Sequence, residues 1–163
     1  LANSASFSSL RNFAMGLFTD PSSCDVLEKF DRYRNERDLP PDRVGADYYW
    51  LVDDEQTLFI GEVTVRHRLN EALRQSGGHI GYGIRCSEWN RGYGTMLLAL
   101  ALEKAKELGI SSVLVTCNDD NLASARVIEK NGFILADKAV IFEDGKEILK
   151  RRYWKTEKHP DNE

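Results

Sequence analysis

Residues 80–95, Ile-Gly-Tyr-Gly-Ile-Arg-Cys-Ser-Glu-Trp-Asn-Arg-Gly-Tyr-Gly-Thr, limit what this chain can fold into more than any other stretch. A strand runs into a turn carrying Gly92 and Gly94, and an apolar helix begins at once. The first four N–H groups of a helix have no intrahelical partner, and the aligned peptide dipoles put partial positive charge there. Glycines let a ligand approach that backbone closely. Together these features predict a cradle for a pyrophosphate, with Arg91 adding a positive charge. Glycines before a helix also serve as plain turn residues, and on this segment alone that reading stays open. Two other phosphate motifs do not fit. No G-x-x-x-x-G-K-[ST] run occurs, and Gly81-x-Gly83 lies within a strand rather than at a strand-to-helix turn.

The flanking pattern predicts a mixed α/β order. Phe7–Leu17 reads as a helix, Asp20 to Ser23 as a turn, and Asp25–Arg37 as a helix with Val26, Leu27, Phe30 and Tyr33 on one stripe. Tyr48–Val52, Leu58–Leu69 and His79–Arg85 read as strands, with Asn70–Gly78 as a connection. Thr95–Leu108 is a helix stopped by Gly109 and apolar nearly all round in its first half, so it should lie flat on a sheet. Ser112–Cys117 reads as a short buried strand and Asn121–Lys130 as a helix ended by Asn131-Gly132. Phe133–Phe142 and Lys146–Trp154 form a hairpin about Glu143-Asp144-Gly145. A β-α-β unit implies a parallel strand pair with a right-handed crossover.

With 163 residues, the chain suits one domain spanning residues 1–163 with a sizeable core. No Met stands at position 1, so a native start upstream, and a missing or degenerate first strand, are expected. The net charge of −4 argues against a nucleic-acid-binding surface, which needs a basic face. Cys24, Cys86 and Cys117 are too few and too scattered for a disulfide framework or a cysteine zinc site, so no metal is expected and a reducing cytoplasm fits. The longest apolar run, Met96 to Leu102, is far short of a membrane span, and Leu1 to Leu10 does not read as a signal peptide.

The stretch from Gly78 to Phe133 resembles the GNAT (general N-acetyltransferase) superfamily, in particular a bacterial subgroup of predicted acetyltransferases. One family motif, Gln/Arg-x-x-Gly-x-Gly/Ala at a helix head, falls on Trp89-Asn90-Arg91-Gly92-Tyr93-Gly94. A second, Asn-x-x-Ala/Ser-x-x-Leu/Val-Tyr-x-Lys-x-Gly-Phe, falls on Asn121 to Phe133. The resemblance implies a mixed central sheet with helices on both faces, and parallel strands at 79–86 and 112–117 that splay apart. It implies acetyl-CoA as co-substrate, with the pantetheine arm pairing to the first of those strands. By position, Ile84, Arg85 and Cys86 would offer the backbone groups. Asn90, Arg91, Gly92, Tyr93, Gly94 and Thr95 would hold the pyrophosphate, with Asn121 and Ser124 beside the arm. Asn121 is equally a plain helix cap, and both roles can coexist. The implied activity is direct acetyl transfer to an amine of an unknown acceptor; the alternative is an acyl-CoA-binding module with little catalysis. A homodimer is common in the family.

Two positions depart from the family. Trp89 replaces the usual Gln or Arg, and is expected to pack on the adenine or cover the loop. Ile128 stands where many members have a Tyr that protonates the leaving thiolate. A thiol of pKa about 8.5 can leave with little proton help, so the departure weakens the mechanism without removing it. Cys117, Ser124 and Tyr153 are substitutes for that acid, against buried packing roles for Cys117 and Tyr153. An acceptor ammonium of pKa about 10.4 must lose a proton before attack, so a base is needed. His79, His67 and Glu62 are the candidates; each is also explained as an ordinary strand residue. The aromatic runs Tyr48-Tyr49-Trp50 and Tyr153-Trp154 offer walls for an acceptor, and Arg32, Arg34, Arg37 and Arg43 form a basic group with acids interleaved.

Overall fold

The computed structural model describes residues 11–12, 21–53, 58–143 and 145–156, with side chains from residue 27 onward. Two sheets share one core. The first has the order β1 (Arg11–Asn12), β2 (Ala46–Val52), β3 (Phe59–Arg66), β4 (Ile80–Ile84); the second has the order β5 (Ser112–Asn118), β7 (Lys146–Thr156), β6 (Ile134–Glu143). The helices are α1 (Pro21–Arg34), α2 (Glu71–Gln75), α3 (Tyr93–Glu107) and α4 (Leu122–Lys130).

Period-two burial sets the faces of the first sheet. Tyr49, Leu51, Val63, Val65 and Ile80 point into the core, against Leu97, Leu98, Ala101 and Ala105 of α3. The small residues at 101 and 105 let that helix lie close to the sheet. Tyr48, one residue out of phase, turns to the other face and stacks on Phe30 of α1 at 4.3 Å, with Tyr33 edge-on at 5.9 Å. Helices therefore cover both faces, as the sequence predicts.

Three expectations need correction. First, Arg11–Asn12 is a strand paired to Tyr49 and Trp50 where the sequence predicts helix; its backbone meets the edge of β2, and that ladder decides the state. The rest of Phe7–Leu17 lies outside the described residues. Second, α1 begins at Pro21, within the predicted turn, since proline tolerates a first helical turn. The connection 70–78 also contains the short helix α2, capped by Asn70 Oδ1 accepting from the N–H of Leu73 at 2.9 Å. Third, every ladder among the described residues is antiparallel, and β4 and β5 are edge strands of different sheets. The expected parallel pairing is reduced to one backbone bond, His79 N–H to Leu114 O at 2.7 Å. The physical reason is local. The N–H of Leu114 donates to the His79 imidazole Nδ1 at 3.0 Å, and the His79 carbonyl is taken by Arg66 N–H at 2.8 Å. The His79 carbonyl that the next parallel rung would need is thus already spent on Arg66, and no ladder follows.

Gly78 makes the same junction possible. Its φ is +63°, and a Cβ there would stand 2.4 Å from the Leu114 carbonyl oxygen, so only glycine fits. Gly77 N–H donates to Thr116 Oγ1 at 2.8 Å, and Arg66 caps the carbonyls of Gly77 and Gly78 at 3.1 and 3.0 Å. The sheets are pinned together at the start of β4.

Candidate active site

The pairing of β4 with β3 fixes where its backbone points. Arg85 N–H donates to Ile60 O, Arg66 N–H donates to His79 O, and the register matches Glu62 with Gly83 and Thr64 with Gly81. Antiparallel pairs alternate between hydrogen-bonded and non-bonded. Gly81 and Gly83 therefore face β3, while the amide groups of Tyr82 and Ile84 face the open edge. Of the three predicted strand-edge residues, only Ile84 presents its backbone outward. Arg85 is turned toward β3 through its N–H, and its carbonyl accepts from Glu88 N–H at 2.9 Å. Cys86 has already left the strand: it starts a 3-10 turn, Cys86–Glu88, and its carbonyl accepts from Trp89 N–H.

The turn then winds through two left-handed positions, Asn90 at φ +61° and Gly92 at φ +85°, before α3 begins. Asn is one of the few residues with a side chain that tolerates that region. Met96 N–H closes the first turn onto Gly92 O at 3.2 Å. The amides of Tyr93, Gly94 and Thr95 thus precede the first intrahelical bond, and no side chain caps them. A Cβ on Gly92 would meet nothing within 4 Å, so the space before these amides is open. Gly94 serves packing instead. A Cβ there would come within 3.3 Å of Val127 Cγ2, so its absence lets α3 approach α4. These are the features a diphosphate group requires.

Arg91, expected to add a positive charge, is paired with a carboxylate. Its guanidinium donates to Glu88 Oε2 at 2.6 Å and sits 5.8 Å from the Tyr93 ring centre. Glu88 is 6% exposed, whereas Arg91 is largely exposed. The pair holds the turn, and anion attraction here comes chiefly from the helix head. Sequence reasoning missed Glu88, which reads there as one more polar loop residue.

Trp89 donates its indole Nε1–H to the Ile84 carbonyl at 2.7 Å and is 62% exposed. It covers the end of β4, the second of its two expected roles.

After β5, Asn121 caps α4, its Oδ1 accepting from Ser124 N–H at 3.0 Å. Ser124 Oγ lies 2.9 Å from the hydroxyl of Tyr82, which projects from β4. Cys117, at the end of β5, is 8% exposed and neighbours both hydroxyls. Burial pushes the Tyr82 hydroxyl up to about 12, partly offset by the Ser124 bond, and burial likewise raises the Cys117 thiol. All three groups therefore stay protonated donors near neutral pH. Tyr82 was missed in the sequence; its place between two strand glycines was the available signal. Ile128 is wholly buried in the core, and Tyr153 is too, its hydroxyl donating to Glu129 at 2.9 Å.

The three candidate bases are dispersed. His79 is 7% exposed, and its Nδ1 lone pair is used by Leu114; burial, with Arg74 and Arg66 nearby, pushes it down to about 4. His67 follows β3 but turns away from His79, lying 3.5 Å from Glu36 and 3.5 Å from Asp47. Antiparallel pairing does bring the two backbones together, but not the two rings. Glu62 is exposed in mid-β3, opposite Gly83, where the missing side chain leaves open space. The basic group of Arg32, Arg34, Arg37 and Arg43 is matched by acids and a carbonyl. Arg34 pairs with Asp47 at 2.7 Å, Arg37 with Asp31, Arg43 with Asp42 at 3.6 Å, and Arg32 bonds the Asp38 carbonyl at 2.8 Å. No group of three or more His, Cys, Asp and Glu among the described residues could hold a metal, and no helix there is long and apolar enough to cross a membrane.

Comparison with known proteins agrees with this geometry. The family model described as "Acetyltransferase (GNAT) domain" matches residues 11–134. Curated proteins give no match. Among solved structures, a spermidine/spermine N-acetyltransferase from Vibrio cholerae aligns with TM-score 0.60 at 18% identity, covering 90% of this chain and 84% of that one. A ribosomal-protein-S5-alanine acetyltransferase from Vibrio fischeri aligns with TM-score 0.63 at 17% identity, covering 83% and 70%. An acetyltransferase of the GNAT family from Bacillus anthracis aligns with TM-score 0.57 at 19% identity, covering 67% of this chain and 65% of its own length. At these identities the structures speak for the fold alone, and the family model carries the assignment: the chain belongs to the GNAT family and is an acetyltransferase.

Proposed function

We propose that this chain transfers the acetyl group of acetyl-CoA directly to an amine, with the coenzyme lying in the crevice between β4 and β5. One observation carries this reading. Uncapped amides at the head of α3 open onto free space beside Gly92, at the end of an edge strand whose outward amides suit an extended arm. Asn90 to Thr95 hold the diphosphate, chiefly through backbone N–H groups. Ile84, with Tyr82, offers the arm its strand edge, and Asn121 and Ser124 line the opposite wall. Acetyl-CoA supplies an activated thioester.

The protein must then provide two groups. A base must take the ammonium proton, and Glu62 is the group best placed for it, directly or through water, because Gly83 leaves room beside it. His79 is occupied by the Leu114 amide, and His67 is bracketed by two carboxylates. A donor must also steady the departing sulfur. The Tyr82–Ser124 pair links β4 to the first turn of α4 and the Tyr82 hydroxyl remains protonated, so it supplies a hydrogen bond where Ile128 cannot. The test is acetyl-CoA with a panel of amines, read as free thiol release. Polyamines and peptides with N-terminal alanine head the panel, because the structural neighbours are named for those acceptors. Turnover with one amine supports the reading. A thermal shift with acetyl-CoA and no turnover would leave the coenzyme-binding module, and no shift at all would refute the site.

A further inference from the structure

We infer that Trp89 lowers coenzyme affinity by competing with an acyl-CoA arm for the Ile84 carbonyl at the open edge of β4. The inference rests on the coenzyme site proposed above.

Ile84 contributes the last outward-facing carbonyl of β4. Beyond it, the carbonyls of Arg85 and Cys86 are taken by the N–H groups of Glu88 and Trp89. An extended arm that runs from the head of α3 along the open edge therefore meets the Ile84 oxygen first. The indole N–H already bonds that oxygen at 2.7 Å. The carbonyl points toward the open edge, so a donor at that distance approaches from the side the arm must use. Trp89 is a donor only, as the N–H of an amide arm is, so the two are chemical equivalents at this acceptor. The ring itself is 62% exposed. Little packing holds it, and one hydrogen bond is the main tie to be broken. Trp89 also stands next to Asn90, whose left-handed backbone turns the chain away, so the side chain can swing out without unwinding α3.

The test compares wild type with Trp89→Phe, which keeps an aromatic ring but lacks the N–H. Acetyl-CoA binding is measured by calorimetry, and circular dichroism checks that the exposed substitution leaves the fold intact. The variant should bind about fivefold more tightly, the ratio that one neutral hydrogen bond corresponds to. In wild type, the indole N–H resonance, assigned by its absence in Trp89→Phe, should shift on titration with acetyl-CoA. Equal or weaker binding by the variant, or an unmoved indole resonance in a wild type that does bind, overturns the competition while leaving the coenzyme site in place. Binding by neither protein overturns both.

Discussion

Replacing His79 with Asn should flatten the acid dependence of stability in this fold. In the native protein His79 is 7% exposed and its Nδ1 accepts from Leu114 N–H, so protonation both buries a charge and breaks the bond that pins the two sheets. Its pKa falls from 6.5 to about 4, first through burial and then through Arg74 and Arg66. As the pH drops, the unfolded chain takes up this proton through about 6.5, whereas the folded chain resists until about 4. The contribution is therefore fully present above about pH 6.5 and is lost on acidification through that window. A shift from 6.5 to about 4 corresponds to roughly 3 kcal/mol in full, most of which is lost by about pH 4.5. Asn offers an Oδ1 near the place of Nδ1 and does not titrate, so it keeps the acceptor for Leu114. Urea unfolding of both proteins at about pH 7 and about pH 4.5 isolates this one group, because every other titration is shared. Wild type should lose roughly 2–3 kcal/mol more than His79→Asn between the two conditions. Equal losses would show that the imidazole does not titrate across the junction, and the account of how the sheets join would fall.

Three further outcomes follow from the site. Gly92→Val should cost roughly 1–2 kcal/mol of stability from its φ of +85° and abolish measurable acetyl-CoA binding by calorimetry, since the new side chain enters the open cradle. Tyr82→Phe should lower kcat roughly 10- to 100-fold with little change in KM for acetyl-CoA, and a thioester with a more acidic thiol should recover much of the loss. Asn121→Ala should destabilise by about 1 kcal/mol through the lost cap on α4, whereas Asn121→Asp keeps the cap; if Asp retains stability but weakens coenzyme affinity, the residue serves both purposes.

Much of this was legible before any coordinates. The strand, turn and helix over residues 80–95 are local features, written in alternation, glycines and an apolar run, and they appear where the sequence places them. The same holds for the Asn121 cap and the hairpin of β6 and β7, whose register of Glu143 with Lys146 leaves a two-residue loop. Long-range pairing was less legible. Nothing local tells Arg11–Asn12 to become a strand, because the ladder it joins is supplied by Tyr49 and Trp50, far along the chain. Nor could spacing show that Leu114 would spend its N–H on an imidazole and His79 its carbonyl on Arg66 where the two sheets meet.

The sequence alone determined the uncapped helix head over residues 92–95, because a helix head and its glycines need only neighbouring residues to form. Tertiary structure decided which groups are free to use it. Burial assigned His79 to the sheet junction, paired Arg91 with Glu88, and set Tyr82 of β4 against Ser124 of α4. Availability of a lone pair or a charge depends on what packs against it, and those partners lie 35 and 42 positions away for His79 and Tyr82. Even the Glu88–Arg91 pair, only three positions apart, depends on the burial of Glu88, which the folded core provides.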